Sequence, residues 1–212
     1  MRVFLTGATG FVGSHLAAEL RSHGHAVRAL VRETSDTRFV ERLDVEIVRG
    51  SLSDAERLAK ELAGCDAIVH AAGGGRYRTY DDLVAQNVAT TRTLLAATLA
   101  AAPRPRRFVL ISSLAAHGPS TDGQPRDATS APAPVSLYGR SKVEAERLAL
   151  RAADEIAVAI VRPPVVYGPR DDRMLALFRA VSRGILPLWG RGATTSVIYV
   201  EDCASAVRTV LE

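Results

Sequence analysis

The stretch Thr6-Gly7-Ala8-Thr9-Gly10-Phe11-Val12-Gly13 constrains this chain more than any other. A short apolar run, Val3-Phe4-Leu5, precedes it and reads as a buried strand. An amphipathic segment, 11–23, follows it and reads as a helix. Gly7, Gly10 and Gly13 therefore stand at a strand-to-helix corner. Gly7 has no Cβ and so permits a tight turn. Gly10 lets the backbone come close to a pyrophosphate, and Gly13 lets the new helix pack against the strand. The free N–H groups and positive dipole end of that helix then face the anion. Glycines carry this meaning only within a βαβ unit, which a second apolar strand at 26–31 completes. Contacts to a dinucleotide are accordingly expected from Gly7, Thr9, Gly10, Phe11, Val12 and Gly13.

Strand candidates at 2–6, 26–31, 45–48, 67–70, 107–112 and 157–161 alternate with helix candidates at 11–23, 54–62, 81–101, 138–153 and 171–183. That alternation predicts an α/β fold, a doubly wound parallel sheet of the Rossmann kind. The strands are short, apolar and β-branched, as required when helices cover both faces. The chain has 212 residues, 47% of them hydrophobic, enough for one α/β domain and part of a second lobe. Beyond Pro163 the alternation loosens and Pro, Gly and Arg become frequent. The expected division is a dinucleotide-binding domain over 1–162 and a partial substrate-binding lobe over 163–212, interleaved with it.

No apolar run reaches the ~18 residues of a membrane span, so no membrane partner is expected. The N-terminus runs directly into the first strand, which leaves no room for a signal peptide and favours a cytoplasmic protein. Cys65 and Cys203 lack metal-ligand spacing, so reduced thiols and no metal are expected. The net charge is only +4 and spread out. Arg104, Arg106 and Arg107 cluster in a Pro-rich loop, but aromatic residues make up 5% and none interleave with them. That pattern reads as a solvated loop, not a nucleic-acid surface.

Ser112 and Ser113 close the strand at 107–112. A serine at the carboxyl end of a central parallel strand faces the crevice where ligands bind. Farther on, Tyr138-Gly139-Arg140-Ser141-Lys142 places Tyr and Lys at i and i+4, on one helix face. Ser136 is the expected N-cap of that helix. Bringing a tyrosine from a pKa near 10 to about 7 takes roughly 4 kcal/mol. One positive charge at about 4 Å, with an effective dielectric near 20, supplies about that much. Tyr138 is thus the candidate acid/base, Lys142 the charge that activates it, and Ser113, which the residues alone do not fully separate from Ser112, the group that binds the reacting oxygen.

The spacing Gly-x-x-Gly-x-x-Gly, with the wording Thr-Gly-Ala-Thr-Gly-Phe-Val-Gly, resembles the extended short-chain dehydrogenases/reductases, the NAD(P)-dependent epimerase/dehydratase family. Matching motifs run along the whole chain. Ser113-Leu114-Ala115-Ala116-His117-Gly118 is similar to the family's serine segment with Ser113 as the catalytic serine. His117 stands where a tyrosine is common. The resemblance implies that Tyr138 moves the proton while a hydride passes to or from nicotinamide, and that Lys142 also binds the nicotinamide ribose.

Further cofactor contacts follow from the same resemblance. Gly50-Ser51-Leu52 occupies the place of Gly-Asp-Leu, so Ser51 and Leu52 are expected beside the adenine, with Ser51 in place of the usual acid. Asp54 is the expected N-cap of the next helix. His70-Ala71-Ala72-Gly73 places Ala71 and Ala72 against the cofactor, with His70 as a packed core residue and Gly73-Gly74-Gly75 as a substrate-side loop. Asn87 is expected to tie its helix to the neighbouring strand. Arg162-Pro163-Pro164-Val165-Val166-Tyr167-Gly168-Pro169 implies contacts from Pro163, Val165 and Val166 to the nicotinamide. Many sugar-nucleotide enzymes carry Asn where this chain has Val165, which favours a smaller or more apolar substrate. Asp202, in Val197-Ile198-Tyr199-Val200-Glu201-Asp202, reads as an N-cap or lobe anchor. At the second strand, Arg28-Ala29-Leu30-Val31-Arg32 has no acid before Glu33. Arg32, with Arg28, therefore favours NADP over NAD.

The expected function is hydride transfer between NADP, or NAD, and a carbinol or carbonyl carbon of a small molecule, by a reductase or an epimerase. Dehydratases often carry Asp-Glu after the strand-end Ser or Thr; Leu114-Ala115 here disfavours that chemistry. A cofactor-binding sensor on the same fold is the alternative, disfavoured by the complete set Ser113, Tyr138 and Lys142. The Ala/Leu-rich faces of helices 81–101 and 138–153, with Leu94-Leu95 and Leu148-Ala149-Leu150, either pair across a two-fold axis in a homodimer or pack on the sheet.

Overall fold

In the computed structural model, which describes residues 1–74, 77–120, 124, 126–185 and 195–212, β1 (Arg2–Thr6) is the centre of the packing. Successive strand side chains point to opposite faces, and both faces of β1 are covered. Val3 and Leu5 enter one apolar core with Leu16, Ala17 and Leu20 of α1 (Phe11–Ser22) and Ala204, Val207 and Leu211 of α8 (Val200–Leu211). Phe4 enters the other with Leu58 and Leu62 of α2 (Ala55–Leu62), Leu94 and Leu95 of α4 (Thr90–Ala100), and Ala145 and Ala149 of α6 (Leu137–Arg151). The same division repeats in β4 (Ala67–His70) and β5 (Arg107–Ile111): Val69 and Val109 join the first core, Ile68 and Phe108 the second. Each large buried side chain of this kind stabilises the fold by about 1.5–3 kcal/mol.

With β2 (Ala26–Val31), β3 (Glu46–Arg49) and β6 (Ala157–Val161), these strands form one parallel sheet in the order β3-β2-β1-β4-β5-β6. The chain winds outward from β1 through β2 to β3, then returns to β4 on the other side of β1. This reversal opens a crevice at the carboxyl ends of β1 and β4. Thr6 is in register with both Leu30 and His70 there. A second, two-stranded parallel sheet joins β7 (Val165–Tyr167) to β8 (Val197–Tyr199).

Several local expectations are met by side-chain caps. Ser136 accepts from the Gly139 N–H at 3.0 Å, and Asp54 from the Arg57 N–H at 3.0 Å. Others need correction. The helix over 81–101 is α3 (Tyr80–Leu83), a π-helical turn over Val84–Ala89, and then α4. Asn87 sits in the wide turn. Asp202 is not an N-cap: Tyr199 holds that position, and Glu201 and Asp202 lie in the first turn of α8, where the helix dipole favours acids. A one-turn helix, α5 (Leu114–His117), follows Ser113.

Within 163–212, α7 (Asp172–Ser182) and the β7-β8 pair stand apart from the sheet, whereas α8 packs against α1 in the first core. Leu94, Leu95 and Ala149, offered for helix pairing between subunits, are buried in this chain's own core, and Leu150 is exposed. Among the described residues no helix is long and apolar enough to cross a membrane. Gly75, expected in the substrate-side loop, lies outside the described residues.

Candidate active site

The glycine corner is shaped by close backbone contacts. Gly7 has φ +75°, and a Cβ on it would stand 2.6 Å from the Ala71 carbonyl and the Ala72 nitrogen. The Ala71 N–H donates to the Thr6 carbonyl (3.3 Å), and the Ala72 N–H to Thr6 Oγ1 (3.2 Å). The segment after β4 is thereby laid against the corner. A Cβ on Gly13 would stand 2.0 Å from the Gly7 carbonyl oxygen, so α1 approaches the turn as only a glycine allows. A Gly13→Ala variant is expected to lose about 1–3 kcal/mol of stability, read as a lower urea midpoint, because backbone has to move to admit one methyl group.

The start of α1 fits a dinucleotide's pyrophosphate. Its N-cap, Gly10, offers no side-chain cap, and its first turn holds no acid. The first N–H groups of a helix have no partner within it. Here they open at the β1/β4 crevice, beside Thr9, Phe11 and Val12.

The adenosine side is less uniform. Arg28 does not reach it: its guanidinium donates to Glu46 (2.6 Å) and to the Glu61 carbonyl (2.7 Å). Its part in the NADP argument is thereby removed. Arg32 remains, exposed at the end of β2, with no carboxylate partner among the described residues. Ser51 is exposed and shares a hydrogen bond with Ser53 (2.6 Å), and Leu52 packs partly against the second core.

The two serines after β5 separate cleanly. Ser112 is buried and donates to Glu146, away from the crevice. Ser113 caps α5: its Oγ accepts from the Ala115 N–H at 3.1 Å, which leaves its own O–H free to donate. Its side chain lies close enough to Tyr138 to act on the phenol. Burial pushes the Tyr138 phenol above its ordinary value, while the Ser113 hydrogen bond and the Arg173 charge act the other way and Tyr77 opposes them. The ring lies beside the 73–74 loop, where a Cβ on Gly74 would meet the phenol oxygen at 3.4 Å.

Lys142 departs from expectation. Its ammonium donates to the Ile111 carbonyl at 2.9 Å, at the base of the site, and does not figure among the charges acting on the Tyr138 phenol. Burial lowers its pKa to about 8, and Glu146, one turn along α6, opposes that shift. Glu146 is itself buried and is gripped by Arg162 through Nε (2.9 Å) and a terminal nitrogen (2.8 Å). The sequence reading had no role for Glu146, although its i+4 spacing from Lys142 marks it as a neighbour.

Two histidines are structural. His70 is buried between Thr6 Oγ1 (2.7 Å) and Thr91 Oγ1 (3.1 Å). Thr91 donates its own proton to the Asn87 carbonyl, so His70 donates to Thr91 from Nε2 and accepts from Thr6 at Nδ1. Burial, with Lys142 nearby, drops its pKa to about 3, and it stays neutral. His117 is buried against the Ser130 carbonyl at 3.0 Å, turned from the crevice. Asn87 bridges elements, but its partners are α6 and the loop after β4, not a strand: it donates to Ser141 (2.9 Å) and accepts from the Gly74 N–H (3.1 Å).

The nicotinamide-side backbone is partly committed. The Val165 N–H donates to the Ser196 carbonyl (3.3 Å) in the β7-β8 pairing, and the Pro163 carbonyl accepts from the Leu114 N–H (2.8 Å). The Val165 N–H is thus engaged by the small sheet. Val166 is half-buried in the same strand.

Comparison with known proteins agrees with this geometry. The sequence profile of the NAD dependent epimerase/dehydratase family matches residues 3–212. A ceramide reductase of Caulobacter vibrioides is 38% identical over 204 residues, covering 96% of this chain and 58% of its own. A 4-hydroxy-2-methyl-3-oxo-4-farnesyl-3,4-dihydroquinoline-1-oxide ketoreductase of Stigmatella aurantiaca is 35% identical, covering 82% of this chain and 53% of its own. The chain thus spans between half and three fifths of these relatives' length. Among solved structures, the dTDP-glucose 4,6-dehydratase DesIV of Streptomyces venezuelae, with NAD and TYD bound, superposes with a TM-score of 0.86 at 29% identity, covering 100% of this chain and 72% of that one. Fold, glycine corner and sequence therefore agree that this chain belongs to the NAD-dependent epimerase/dehydratase family.

Proposed function

We propose that this chain carries the cofactor site and the proton-transfer centre of an NAD(P)-dependent oxidoreductase or epimerase acting on a carbinol or carbonyl carbon. The observation that carries the reading is the placement of the Ser113 side chain, at the end of β5, near enough to act on the Tyr138 phenol, beside an uncapped glycine-rich helix start. A substrate oxygen between them accepts from Ser113 and exchanges its proton with Tyr138. Bound nicotinamide supplies the hydride acceptor or donor. Lys142 keeps a positive charge at the end of β5, within the buried base of the site, and is assigned to the ribose. The Ala71-Ala72 segment and the turn 7–13 hold the phosphates, and Ser51 and Leu52 flank the adenine.

NADP is the assigned cofactor, on Arg32 alone. The substrate class is apolar. Val165 stands where an Asn would serve a nucleotide-sugar, and exposed apolar side chains gather on the second lobe at Val165, Leu175, Phe178, Val181 and Val197. The two curated relatives are named for a ceramide and for a farnesyl-bearing oxo compound.

Titration calorimetry with NADPH and with NADH tests the cofactor site. NADPH is expected to bind at least about tenfold more tightly, a difference of about 1.4 kcal/mol. A preference for NADH would remove the Arg32 assignment. Binding of neither would overturn the reading.

A further inference from the structure

Among the described residues, the cation that acts on the Tyr138 phenol comes from the second lobe. Arg173 lies in the first turn of α7, after Asp171, whose side chain accepts from the Arg173 N–H at 3.0 Å and from the Met174 N–H at 3.3 Å. That cap fixes the direction in which the first turn leaves the 168–171 bend. From there the Arg173 guanidinium crosses to the other lobe and donates to the Gly74 carbonyl at 2.9 Å. Gly74 has φ +67°, and its Cβ position stands 3.4 Å from the phenol oxygen and 3.5 Å from a ring carbon. On the far side, Gly74 is tied back by its own N–H to Asn87, and Asn87 to Ser141 of α6. One residue, Gly74, is thus held by its N–H to a buried asparagine on the sheet side and by its carbonyl to an arginine on the lobe side, beside Tyr138.

We propose that Arg173 is the positioning residue for Tyr138: its hydrogen bond clamps the Gly74 backbone against the phenol, and its charge favours the phenolate that the acid/base cycle passes through. The proposal rests on the acid/base reading of Tyr138 and deepens it. It also links the competence of that tyrosine to the second lobe, because among the described residues no cation of the sheet domain takes this part. Lys142, on the phenol's own helix, turns its ammonium to the Ile111 carbonyl. Among the described residues, the other groups acting on the phenol are the Ser113 hydroxyl, from the end of β5, and Tyr77, from the loop after β4, and neither brings a positive charge.

The test is an alkaline titration of phenolate absorbance in the protein without cofactor, with circular dichroism at each pH to confirm the fold. Subtracting the curve of Tyr138→Phe isolates the Tyr138 component. In Arg173→Gln the midpoint of that component is expected to rise by about one unit, the size of a partly screened charge a few ångströms away. In Arg173→Lys, which keeps the charge, it is expected to stay within about a third of a unit of the parent. An unchanged midpoint in Arg173→Gln, or an equal rise in both variants, overturns the proposal. Neither result touches the acid/base reading, which fails separately if Tyr138→Phe turns over normally.

Discussion

Replacing Tyr138 by phenylalanine is expected to lower kcat by about 10²–10⁴-fold, the usual contribution of a positioned acid/base, with cofactor affinity changed little. The variant removes one oxygen from a ring that stays in place. Tyr138 lies in the first turn of a helix whose N-cap bond, from the Gly139 N–H to Ser136, does not involve the side chain. Ser113 keeps the Ala115 N–H on its oxygen, so α5 keeps its cap. The corner at 7–13 touches neither. Stability and nucleotide binding are therefore the internal control, and the loss is confined to the step in which a proton moves. Steady-state kinetics with NADPH and an apolar ketone, beside calorimetry on the same preparation, read both. A variant with near-normal kcat would mean that the proton takes another route.

The largest loss of stability is expected from Glu146→Ala, on the order of 3–5 kcal/mol, the range for removing one partner of a buried ion pair. Typical domains have only about 5–15 kcal/mol in total, so the urea midpoint should fall by about a fifth or more. Glu146 receives two Arg162 bonds and the Ser112 proton from inside the protein. Removing it leaves the half-buried Arg162 guanidinium with only its 3.4 Å bond to the Ala128 carbonyl and the buried Ser112 hydroxyl without this acceptor, and takes from Lys142 the charge that opposes its loss of a proton. Glu146→Gln keeps an acceptor for Ser112 and should lose clearly less. Replacing Glu146 and Arg162 together by leucine removes both charges, and the pair should be less damaging than the sum of the single changes. Additive losses in that cycle would show that the two side chains act independently.

The same network shows where sequence reading stops. Tyr138, Lys142 and Glu146 share a helix face by spacing alone, and their being neighbours is legible. The direction in which Lys142 points is not, because the Ile111 carbonyl that receives it lies 31 positions away. Reading a charge at about 4 Å from the phenol assumed that shared spacing means mutual contact. Burial offered the ammonium a better acceptor. Arg28 repeats the lesson. At the right place in β2, it is drawn into an ion pair by Glu46 on the adjacent strand, and strand neighbours are a matter of register, not of sequence.

Whatever short-range sterics and hydrogen bonding decide was legible in the chain of residues alone. The turn at Gly7, the close packing at Gly13, the caps at Asp54 and Ser136 and the alternation that makes a parallel sheet all follow from residues a few positions apart or from strand periodicity. Long-range packing settled the rest: which of Ser112 and Ser113 faces the crevice, that α8 closes the sheet beside α1 while α7 stands over the site, and that Arg173 reaches Gly74 across 99 positions of chain. Those outcomes are set by which surfaces bury one another, and burial is a property of the assembled layers that no local stretch contains.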